Sequence, residues 1–426
     1  MRVAVFWFRR DLRLEDNVGL NKALESGLPV VPIFIFDENI LNELPNDDPR
    51  VNFIYDELKN INEQLKNHQT RLHIFMGNPL DVWVQILKEY EVAQVFSNKD
   101  YEPYALKRDA KVEELVQSQG SAFKQYKDQV IFEESEVVKD DGEPYIVYTP
   151  YMKKWKALFA GIIESEPVKF NHFSPSDKQF PSKSRLGIKP SKIKVEPYDQ
   201  SILDKYAKNR NIPSIDTSRI SPHLRFGTVS IRNIFSKIYP KYEKYANELI
   251  WREFFIQILY HYPKSHKENF RSKYDQIQWR NNEEEFEKWC NGETGYPLVD
   301  AGMRELNETG YMHGRVRMVT ASFLIKHLLI DWRWGEAYFA QKLLDFELSS
   351  NVGNWQWVAG TGVDAAPYFR IFNPAEQLKK FDPDLKYVRK WVKDFDEITY
   401  PKEIVEHKFA RDRCLKAFKE GLAVNT

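Results

Sequence analysis

Cysteine is scarce in this chain of 426 residues, which contains only Cys290 and Cys414. Two cysteines cannot build a disulfide framework or a cysteine-based zinc site, and they suit a reducing compartment. The sequence also lacks any run of 18 apolar residues, so we expect no membrane-spanning helix. The early apolar stretch Val3–Phe8 is too short, and too soon followed by charge, for a signal peptide. We therefore expect a cytoplasmic protein.

Several motifs of nucleotide and metal chemistry are missing as well. The sequence contains neither the G-x-G-x-x-G nor the G-x-x-x-x-G-K-[ST] phosphate loop, and it has no H-E-x-x-H zinc motif. The nine His residues are scattered, so we expect no metal site. Lys and Arg together number 62 and balance 62 Asp and Glu. This balance argues against a general basic coat for nucleic acid, although it leaves room for a local basic groove.

Aromatic side chains are abundant, at 14% of the chain with 11 Trp. Trp carries an N–H group that needs a partner, so Leu, Ile and Val fill protein cores more readily. A concentration of Trp therefore indicates ligand stacking or redox chemistry, with aromatic packing of a large helical core as the alternative. Eight of the Trp residues follow residue 250: Trp251, Trp279, Trp289, Trp332, Trp334, Trp355, Trp357 and Trp391.

The first 130 residues alternate between short apolar runs and segments with helical spacing of apolar residues. Because the runs show no polar alternation, they predict a parallel sheet covered on both faces, which is a doubly wound α/β domain. Ligands of such sheets bind at the carboxyl ends of the strands. The predicted strands are Val3–Phe8, Val30–Phe36, Leu72–Phe75 and Val95–Ser97, and the predicted helices are Asn17–Ser26, Arg50–Asn67, Asp81–Tyr90 and Tyr104–Gln119.

The remainder of the chain has a different pattern. From Pro150 to Tyr198 prolines recur among Ser and Lys, which predicts a long surface connector. From Gln200 onward apolar residues recur every three or four positions, which predicts an all-α domain. We therefore predict an α/β domain at 1–130, a connector at 131–199 and a helical domain at 200–426. The predicted helices of the last are Ala246–Tyr260, Glu283–Cys290, Leu298–Glu308, Arg315–Leu329 and Ala337–Leu344.

A hydroxyl-rich segment, Thr217–Ser221, precedes a predicted helix. Hydroxyl groups and free backbone N–H groups at the start of a helix can bind an anion. A simple helix N-cap is the alternative.

Glu248, Trp251 and Arg252 fall on one face of a predicted helix. Burying Glu, Trp and Arg on the same inward face is costly unless they contact a ligand. The alternative is an exposed Glu248–Arg252 pair, which contributes little and leaves Trp251 unexplained.

Arg315 and Arg317 are two residues apart and cannot share a helix face. One of them can therefore reach a phosphate or a base while the other pairs with a buried acid. Asp345 and Glu347 are candidates for that acid. The following segment, Asn351–Pro374, is dense in Gly, Asn and Trp, a composition that suits a ligand pocket better than a core.

Three long blocks, Phe6–Asn17, Thr294–Arg304 and Asp364–Pro374, resemble the signatures of the photolyase/cryptochrome family. The resemblance extends over nearly the whole chain and is greatest to the class I cyclobutane pyrimidine dimer photolyases. It implies an N-terminal α/β antenna domain and a C-terminal all-α domain that binds FAD. It also implies light-driven DNA repair, in which reduced FAD gives an electron to a flipped-out dimer and later regains it.

The resemblance also implies which residues contact FAD. The Thr217–Ser221 segment would hold the pyrophosphate, and Arg317, paired with Asp345, would lie near the flavin ring. Asn351 would face flavin N5 with an amide that can donate a hydrogen bond, where plant signalling cryptochromes usually have Asp. The full predicted set is Tyr206, Thr217, Ser218, Arg219, Ile220, Ser221, Tyr245, Arg252, Arg317, Asp345, Phe346, Glu347 and Asn351.

A second implied set faces damaged DNA. Trp251 and Trp357 would stack on the dimer, at about 1–3 kcal/mol per base, and Glu248 would hold a thymine edge and stabilise the radical anion. The set consists of Arg210, Glu248, Trp251, Arg252, Gly314, Arg315, Met318, Trp357 and Gln377.

Three further Trp residues match the chain that reduces FAD by electron transfer from the protein surface. They are Trp279, Trp332 and Trp355, with core packing as the alternative. Together with Glu248 and Asn351 they form the predicted catalytic set.

The sequence departs from the family pattern at three places. Gly314 stands where the family has an Asn that touches the dimer. Loss of that contact costs about 1–2 kcal/mol if a buried hydrogen bond goes unmade. Glu347 stands where the family usually has Asp. Glu102–Ala105 replaces the Asn-Glu pair of folate-binding class I enzymes. The antenna chromophore is therefore left open between methenyltetrahydrofolate, a deazaflavin and none.

We expect a monomer that acts on UV-damaged DNA containing a pyrimidine dimer. The alternative function is a cryptochrome-type blue-light sensor without repair, which Gly314 favours. Against it, only 18 residues follow the block Tyr400–Lys408, too few for the long tail that signalling members often carry. Repair of the (6-4) photoproduct is disfavoured, because it is associated with a His-His pair where this chain has His313-Gly314.

Overall fold

A computed structural model describes residues 2–161 and 167–424 of the chain. Contacts between Cα atoms group the chain into two compact units. The sheet unit comprises Met1–Gly142, Lys154–Pro197 and Ile220–Leu249. The helical unit comprises Glu143–Lys153, Tyr198–Arg219 and Ile250–Thr426. The domain boundaries derived from the sequence, after residues 130 and 199, stay a prediction.

The sheet unit is built on five parallel strands in the order β3-β2-β1-β4-β5. The direction in which successive strands are added reverses beside β1, as it does in doubly wound folds. The predicted α/β architecture is therefore confirmed. The strands are β1 (Val3–Phe8), β2 (Val30–Asp37), β3 (His73–Gly77), β4 (Val92–Asn98) and β5 (Ala122–Tyr126).

Helices cover both faces of this sheet, because successive side chains of a strand point in opposite directions. Phe6 and Phe8 of β1 pack in one apolar cluster with helices α1 and α3. Val5 and Trp7 pack in another with α4 and α5. The helices are α1 (Val18–Leu24), α2 (Glu38–Leu41), α3 (Pro49–Lys66), α4 (Pro79–Glu89) and α5 (Pro103–Ser118).

The sequence analysis missed three elements in this part of the chain, and one of them is the short helix α2, which buries none of its residues. Strand β5 lies at the edge of the sheet and is only partly buried, so its Lys and Gln residues hide the apolar pattern of a strand. Helix α6 (Tyr148–Leu158) lies within the predicted connector, whose residues 162–166 fall outside the described residues. The expectation of an irregular segment from Pro150 onward is thus wrong over α6.

The rest of the described chain is helical, as predicted. Helices α8 and α9 belong to the sheet unit, and α10 is divided between the two units. The helices are α7 (Leu203–Asn209), α8 (Ser221–Phe226), α9 (Ile231–Ile238), α10 (Glu243–His261), α11 (Glu283–Asn291), α12 (Pro297–Thr309), α13 (Gly314–Ser322), α14 (Trp332–Lys342), α15 (Leu348–Ala359), α16 (Pro374–Phe381), α17 (Lys386–Trp391) and α18 (His407–Ala423).

The predicted helix Arg315–Leu329 is interrupted in the structure. Helix α13 ends at Ser322, and one π-helical turn, Phe323–His327, follows it. Lys326 and His327 in this turn are fully buried, which a regular polar–apolar pattern does not anticipate. In the described parts of the chain, no helix is both long enough and apolar enough to cross a membrane.

Candidate functional site

The first group of predicted site residues surrounds Tyr311, which lies in the loop between α12 and α13 in the helical unit. The Tyr311 hydroxyl lies 2.7 Å from the Thr217 hydroxyl. The guanidinium groups of Arg219 and Arg317 lie 4.0 and 5.4 Å from the Tyr311 ring centroid. Arg317 also donates to both carboxylate oxygens of Asp345, at 3.1 and 2.9 Å. The predicted Arg317–Asp345 pair is confirmed, whereas the sequence analysis missed Tyr311.

The Arg317 side chain has donor capacity left for a ligand. Burial works to lower the pKa of Arg317, but the Asp345 carboxylate outweighs it and raises that pKa, so the guanidinium stays charged. Its Nε donates to the carbonyl of Met312. Within residues 2–161 and 167–424, two of its five N–H groups therefore have no acceptor. The side chain is 27% exposed, so a bound anion or ring carbonyl can reach those groups.

The Thr217–Ser221 segment does not form the simple N-cap that was its alternative interpretation. Helix α8 is capped by Ile220, with no hydrogen bond from a side chain to the helix end. Arg219, just before the cap, has a left-handed backbone with φ of 56°. Ile220 and Ser221 belong to the sheet unit, and Thr217 to Arg219 to the helical unit. The segment is therefore a sharp turn whose hydroxyls are not used for capping.

Arg252 and Glu347 form a second group in the helical unit. An Arg252 N–H donates to the Glu347 carboxylate at 2.7 Å, and the two side chains are only 12% and 6% exposed. Ser350 donates to the other Glu347 oxygen at 3.2 Å. The alternative of an exposed Arg252 is therefore wrong. Of the other predicted residues of α10, Tyr245 and Glu248 belong to the sheet unit, and Trp251 belongs to the helical unit.

Asn351 contacts a residue that the sequence analysis missed. Its amide nitrogen donates to both the backbone carbonyl of Glu336, at 3.1 Å, and the Glu336 carboxylate, at 2.8 Å. Both amide N–H groups are thus used inside the protein, and the side-chain carbonyl is the group left for a ligand. This orientation differs from the expected one, in which the amide donates outward. Burial raises the pKa of Glu336, and the Asn351 hydrogen bond partly opposes that shift.

The predicted DNA-facing cations Arg210 and Arg315 lie near one another. The Arg315 Nε and Nη2 atoms donate to the Asn211 side-chain oxygen at 3.2 and 2.8 Å, and the guanidinium lies 4.6 Å from the Phe381 ring centroid. Burial, and then the positive charge of Arg210, lower the pKa of Arg315. Two neighbouring guanidinium groups favour the binding of a phosphate. No motif in the sequence pointed to Asn211 or Phe381.

At two predicted DNA-facing positions the structure leaves room for a contact. Gly314 has open space beside its Cα, and Gln377 has an unpartnered side-chain oxygen in the described part of the chain. Gly314 is the exposed first residue of α13, and a Cβ atom built there would meet no atom within 4 Å. The buried side-chain oxygen of Gln377 has no hydrogen-bond partner in the described part of the chain. Met318 and Trp357 are half-buried.

Trp251 has one ring face covered. It stacks on Tyr148 with a centroid distance of 3.6 Å and an interplanar angle of 9°. Only the opposite face can therefore stack on a base. Tyr148 begins α6 and lies within the predicted connector at 131–199, and no motif marked it as a site residue.

The three Trp residues of the predicted electron-transfer chain pack on different neighbours. Trp355 contacts Phe339 and Trp289, with centroid distances of 5.0 and 6.2 Å. The Trp332 indole donates to Asn269 at 2.9 Å, and the Trp279 ring contacts Phe418. Trp332 and Trp355 are buried, and Trp279 is half-buried. The electron-transfer role stays a prediction.

In the sheet unit, the residues that replace the folate-binding pair lie after β4, near its carboxyl end. An Arg10 N–H donates to Glu102 at 3.0 Å, and the Tyr104 hydroxyl donates to Asp37 at 2.6 Å. Burial, followed by the Asp37 contact, raises the pKa of Tyr104 to about 12. Both side chains are engaged by their own neighbours, so they do not identify a second chromophore.

Residues 245–399 match the family model described as the FAD binding domain of DNA photolyase, and residues 4–170 match the model for DNA photolyase. A deoxyribodipyrimidine photo-lyase from Agrobacterium fabrum is 33% identical, with 97% of each chain covered. The solved structure of a bacterial class III photolyase from Agrobacterium tumefaciens is similar with a TM-score of 0.89 at 31% identity, covering 99% of this chain and 98% of its own. That of an archaeal photolyase from Sulfolobus tokodaii with two FAD molecules has a TM-score of 0.88 at 35% identity, covering 99% and 100%.

These matches first establish the protein as a flavoprotein with an FAD-binding domain. The chain belongs to the photolyase/cryptochrome family, among its DNA photolyase enzymes. Because one of the similar structures is a class III photolyase, placement of this chain in class I stays a prediction.

Proposed function

We propose that this protein repairs cyclobutane pyrimidine dimers in DNA in a light-dependent reaction. The observation that carries the proposal is the arrangement of helix α13. It directs Arg317 to Asp345 and Tyr311, and Arg315 to Asn211 and Phe381, in the neighbourhood of Arg210. One helix thus presents a paired arginine for a cofactor and a second arginine for nucleic-acid phosphate.

The residues of the helical unit fit the binding of FAD. The unused N–H groups of Arg317 and the left-handed turn at Arg219 offer donors to an anionic or carbonyl-bearing ligand. FAD, when bound and reduced, supplies the electron that opens the cyclobutane ring. Arg317 with Asp345 and Arg252 with Glu347 would orient the flavin as charge-balanced pairs, and Asn351 would present its carbonyl oxygen.

The remaining predicted cofactor residues complete the binding segment in this proposal. Thr217 and Ser218 would hold the pyrophosphate, together with Tyr206, Ile220 and Ser221. Tyr245 and Phe346 would pack beside the cofactor. Trp279, Trp332 and Trp355 would restore the reduced state.

The DNA-facing residues divide into backbone and base contacts. Arg210 and Arg315 would bind phosphate, which makes binding sensitive to salt. The Trp251 ring face opposite Tyr148 and the ring of Trp357 would stack on the flipped-out dimer. Glu248 would hold a thymine edge, and the unpartnered oxygen of Gln377 is suited to accept a hydrogen bond from a base or a bridging water.

A light sensor without repair activity is the second candidate function. The observation that favours it is Gly314, because the open space at its Cα contains no amide to contact a dimer. Either a water molecule fills that space in the repair complex or one polar contact is lost.

The deciding experiment uses an oligonucleotide with one defined thymine dimer, incubated with the reduced holoprotein in blue light and in darkness. We expect the dimer to revert to thymines only in the light, while a matched (6-4) oligonucleotide remains unchanged. Arg315→Ala should weaken dimer binding and lower its salt dependence. Arg411→Ala, which removes an exposed cation of α18, is the matched control and should bind like the parent. FAD that is reduced and re-oxidised by light without any dimer loss would favour the sensor.

Other properties stay predictions. The second chromophore is open between methenyltetrahydrofolate, a deazaflavin and none, and the Sulfolobus tokodaii photolyase with two FAD molecules adds FAD to these candidates. Cytoplasmic location and a monomeric state are likewise predicted.

A further inference from the structure

The Trp251 ring is supported on one face by a buried neighbour, Tyr148, in the helical unit. The two rings stack with their centroids 3.6 Å apart and an interplanar angle of 9°. Phe254 meets both rings edge-on, at 5.8 Å from Tyr148 and 5.5 Å from Trp251. Tyr148 is only 7% exposed, whereas Trp251 is half-buried. A buried ring thus fixes the plane of a Trp ring that is itself only partly buried.

The backbone of Tyr148 is anchored by Asp364, which comes from a loop far away in the sequence. Tyr148 is the first residue of α6, so its N–H group has no acceptor within the helix. It donates instead to the Asp364 carboxylate at 3.2 Å. Asp364 has a left-handed backbone with φ of 43°, a conformation that Asp and Asn tolerate better than other residues with a side chain. Both the carboxylate and the backbone preference of Asp therefore suit this position.

The loop that carries Asp364 is bonded to Trp357, the second Trp that is proposed to stack on the dimer. The Ala366 N–H group donates to the Trp357 carbonyl at 3.2 Å. Gly362 lies so close to α15 that a Cβ atom built there would come within 3.3 Å of the Trp357 backbone nitrogen. The loop is thus packed tightly on the last turns of α15, next to Trp357.

A second connection joins the helices that carry the two Trp residues. The Phe255 ring of α10 contacts the Trp251 ring at a centroid distance of 5.4 Å. Gly353 of α15 faces the same Phe255, because a Cβ atom built at Gly353 would overlap that ring. An approach this close requires glycine. Phe255 therefore sets the separation of α10 and α15 at this point, while Tyr148 sets the plane of the Trp251 ring.

A fixed ring plane affects the selectivity of stacking. Stacking on a flipped-out base orders the side chain that it meets, and a ring that is already ordered loses less conformational freedom. Contacts to phosphate supply affinity for any DNA, damaged or not. Damaged bases leave the base stack at a lower cost than normal bases. A preorganised Trp therefore adds affinity mainly for DNA that contains a lesion.

We propose that Tyr148 and Asp364 are positioning residues that fix the orientation of Trp251 relative to Trp357. They thereby increase the selectivity of the protein for a pyrimidine dimer over undamaged bases. Tyr148 acts through the Trp251 ring, and Asp364 acts through the backbone of Tyr148. The assignment rests on the proposed function and specifies what makes its binding site selective.

The test measures the Kd of the FAD-loaded protein in darkness for two oligonucleotides that differ only in one thymine dimer. The ratio of the two Kd values is the selectivity. Tyr148→Leu should lower the selectivity by about 2- to 10-fold, the effect expected when one more side chain has to be ordered on binding. It should leave the Kd for undamaged DNA unchanged. Tyr148→Phe keeps the stacked ring and should match the parent.

The same assay tests Asp364. Asp364→Asn keeps an oxygen that accepts a hydrogen bond and a side chain that tolerates the left-handed backbone, so it should match the parent. Asp364→Ala removes both features and should lower the selectivity. Tyr274→Leu is the matched control for loss of a buried Tyr, because Tyr274 is 5% exposed and packs on Phe418. This variant should keep the parent's selectivity.

A double-mutant cycle separates positioning from direct contact with DNA. In a Trp251→Ala background, Tyr148→Leu should cause no further loss of selectivity, because Tyr148 acts through that ring. A further loss in this background would mean that Tyr148 meets the DNA itself, which would overturn the assignment. An equal loss of affinity for both oligonucleotides in Tyr148→Leu would also overturn it, since a general folding defect weakens all binding.

Light-dependent repair by the parent protein distinguishes a failed assignment from a failed function. A parent that repairs the dimer, together with a Tyr148→Leu variant of unchanged selectivity, would overturn the positioning role alone. A parent with neither selectivity nor repair would overturn the proposed function, and the positioning role with it.

Discussion

At the scale of single residues, Glu336 is the most informative partner in the site, because it holds both N–H groups of Asn351. Its raised pKa means that the folded protein retains a proton that the unfolded chain releases above the usual value of 4.5. The free energy of unfolding therefore falls as the pH rises from 4.5 through the raised pKa. Above the raised pKa, the buried Glu336 carboxylate is charged, and its burial lowers the free energy of unfolding.

We therefore predict that Glu336→Gln stabilises the holoprotein at pH 7 by about 1 kcal/mol, the order of cost of a buried, imperfectly compensated polar group. Gln keeps an oxygen that accepts from Asn351 but carries no charge. The gain should disappear below pH 4.5. Urea unfolding at both pH values measures it, with exposed Glu287→Gln as the control. A Glu336→Gln variant with a lower free energy of unfolding than the parent at pH 7 would show that the charge itself stabilises the fold.

Gly314 gives a second prediction at this scale. Its backbone is not left-handed, and its Cβ position is open, so Gly314→Asn should fold without strain. An amide there should tighten binding of dimer-containing DNA by up to about 1 kcal/mol, or about five-fold in Kd. Gly314→Ala fills the same Cβ position without the amide and serves as the control. Equal binding by all three proteins, with unchanged melting temperatures, would mean that the dimer does not reach this position.

The sequence predicted site residues where a motif contained them and missed their partners. Arg317 and Asp345 match family positions one by one, and their pairing is confirmed. Tyr311, Glu336 and Tyr148 match no position that the resemblance marked. They join the site only through tertiary packing, which a local pattern does not encode.

At the scale of elements, helix α13 depends on an unusual cap. The His313 ring Nδ1 accepts a hydrogen bond from the Arg315 backbone N–H at 3.1 Å, which requires a neutral imidazole. Burial, and then the charges of Arg317, Arg315 and Arg219, lower the pKa of His313 from 6.5 to about 4. Between these values the unfolded chain binds a proton that the folded protein excludes. The free energy of unfolding therefore falls as the pH drops from 6.5 to 4.

We predict that His313→Asn removes this contribution, because Asn caps a helix without titrating. Between pH 7 and pH 4 the variant should lose less unfolding free energy than the parent, by up to about 3 kcal/mol. Denaturant titrations across this range measure the difference. His313→Ala is the companion variant and should lose about 1 kcal/mol at pH 7 through loss of the cap. Identical pH slopes in parent and His313→Asn would contradict the assignment.

The elements that the sequence missed share a physical cause. Strand β5 has a polar, half-exposed edge position, and α6 follows a stretch of turn-forming residues, so neither has a full apolar stripe. The π-helical turn after α13 depends on burial of Lys326, whose ammonium donates to the Ala359 carbonyl at 2.7 Å. That partner is distant in sequence, so the local pattern suggests a longer regular helix.

At the scale of the whole molecule, the fold class followed from chain-wide patterns. Unbroken apolar runs predicted the parallel sheet, and apolar residues recurring every three or four positions predicted the helical part. The arrangement of side chains in the site required the folded chain. Arg219 meets Tyr311 and Arg317 from a segment far from both in sequence, and no spacing rule predicts that contact.

This arrangement leads to a prediction about cofactor linkage. A ligand that binds only the folded protein stabilises it by mass action, by about 2.7 kcal/mol at 100 times its Kd. Removing FAD should therefore lower the melting temperature, and adding FAD should restore it by a few degrees for a chain of this size. FMN has the same isoalloxazine ring but lacks the adenosine and the pyrophosphate that the Thr217–Ser221 segment is proposed to hold. It should restore less of the melting temperature at equal concentration. Equal restoration by FMN would show that this segment contributes nothing to binding, and no restoration by either flavin would indicate that the FAD-free protein has lost the folded site.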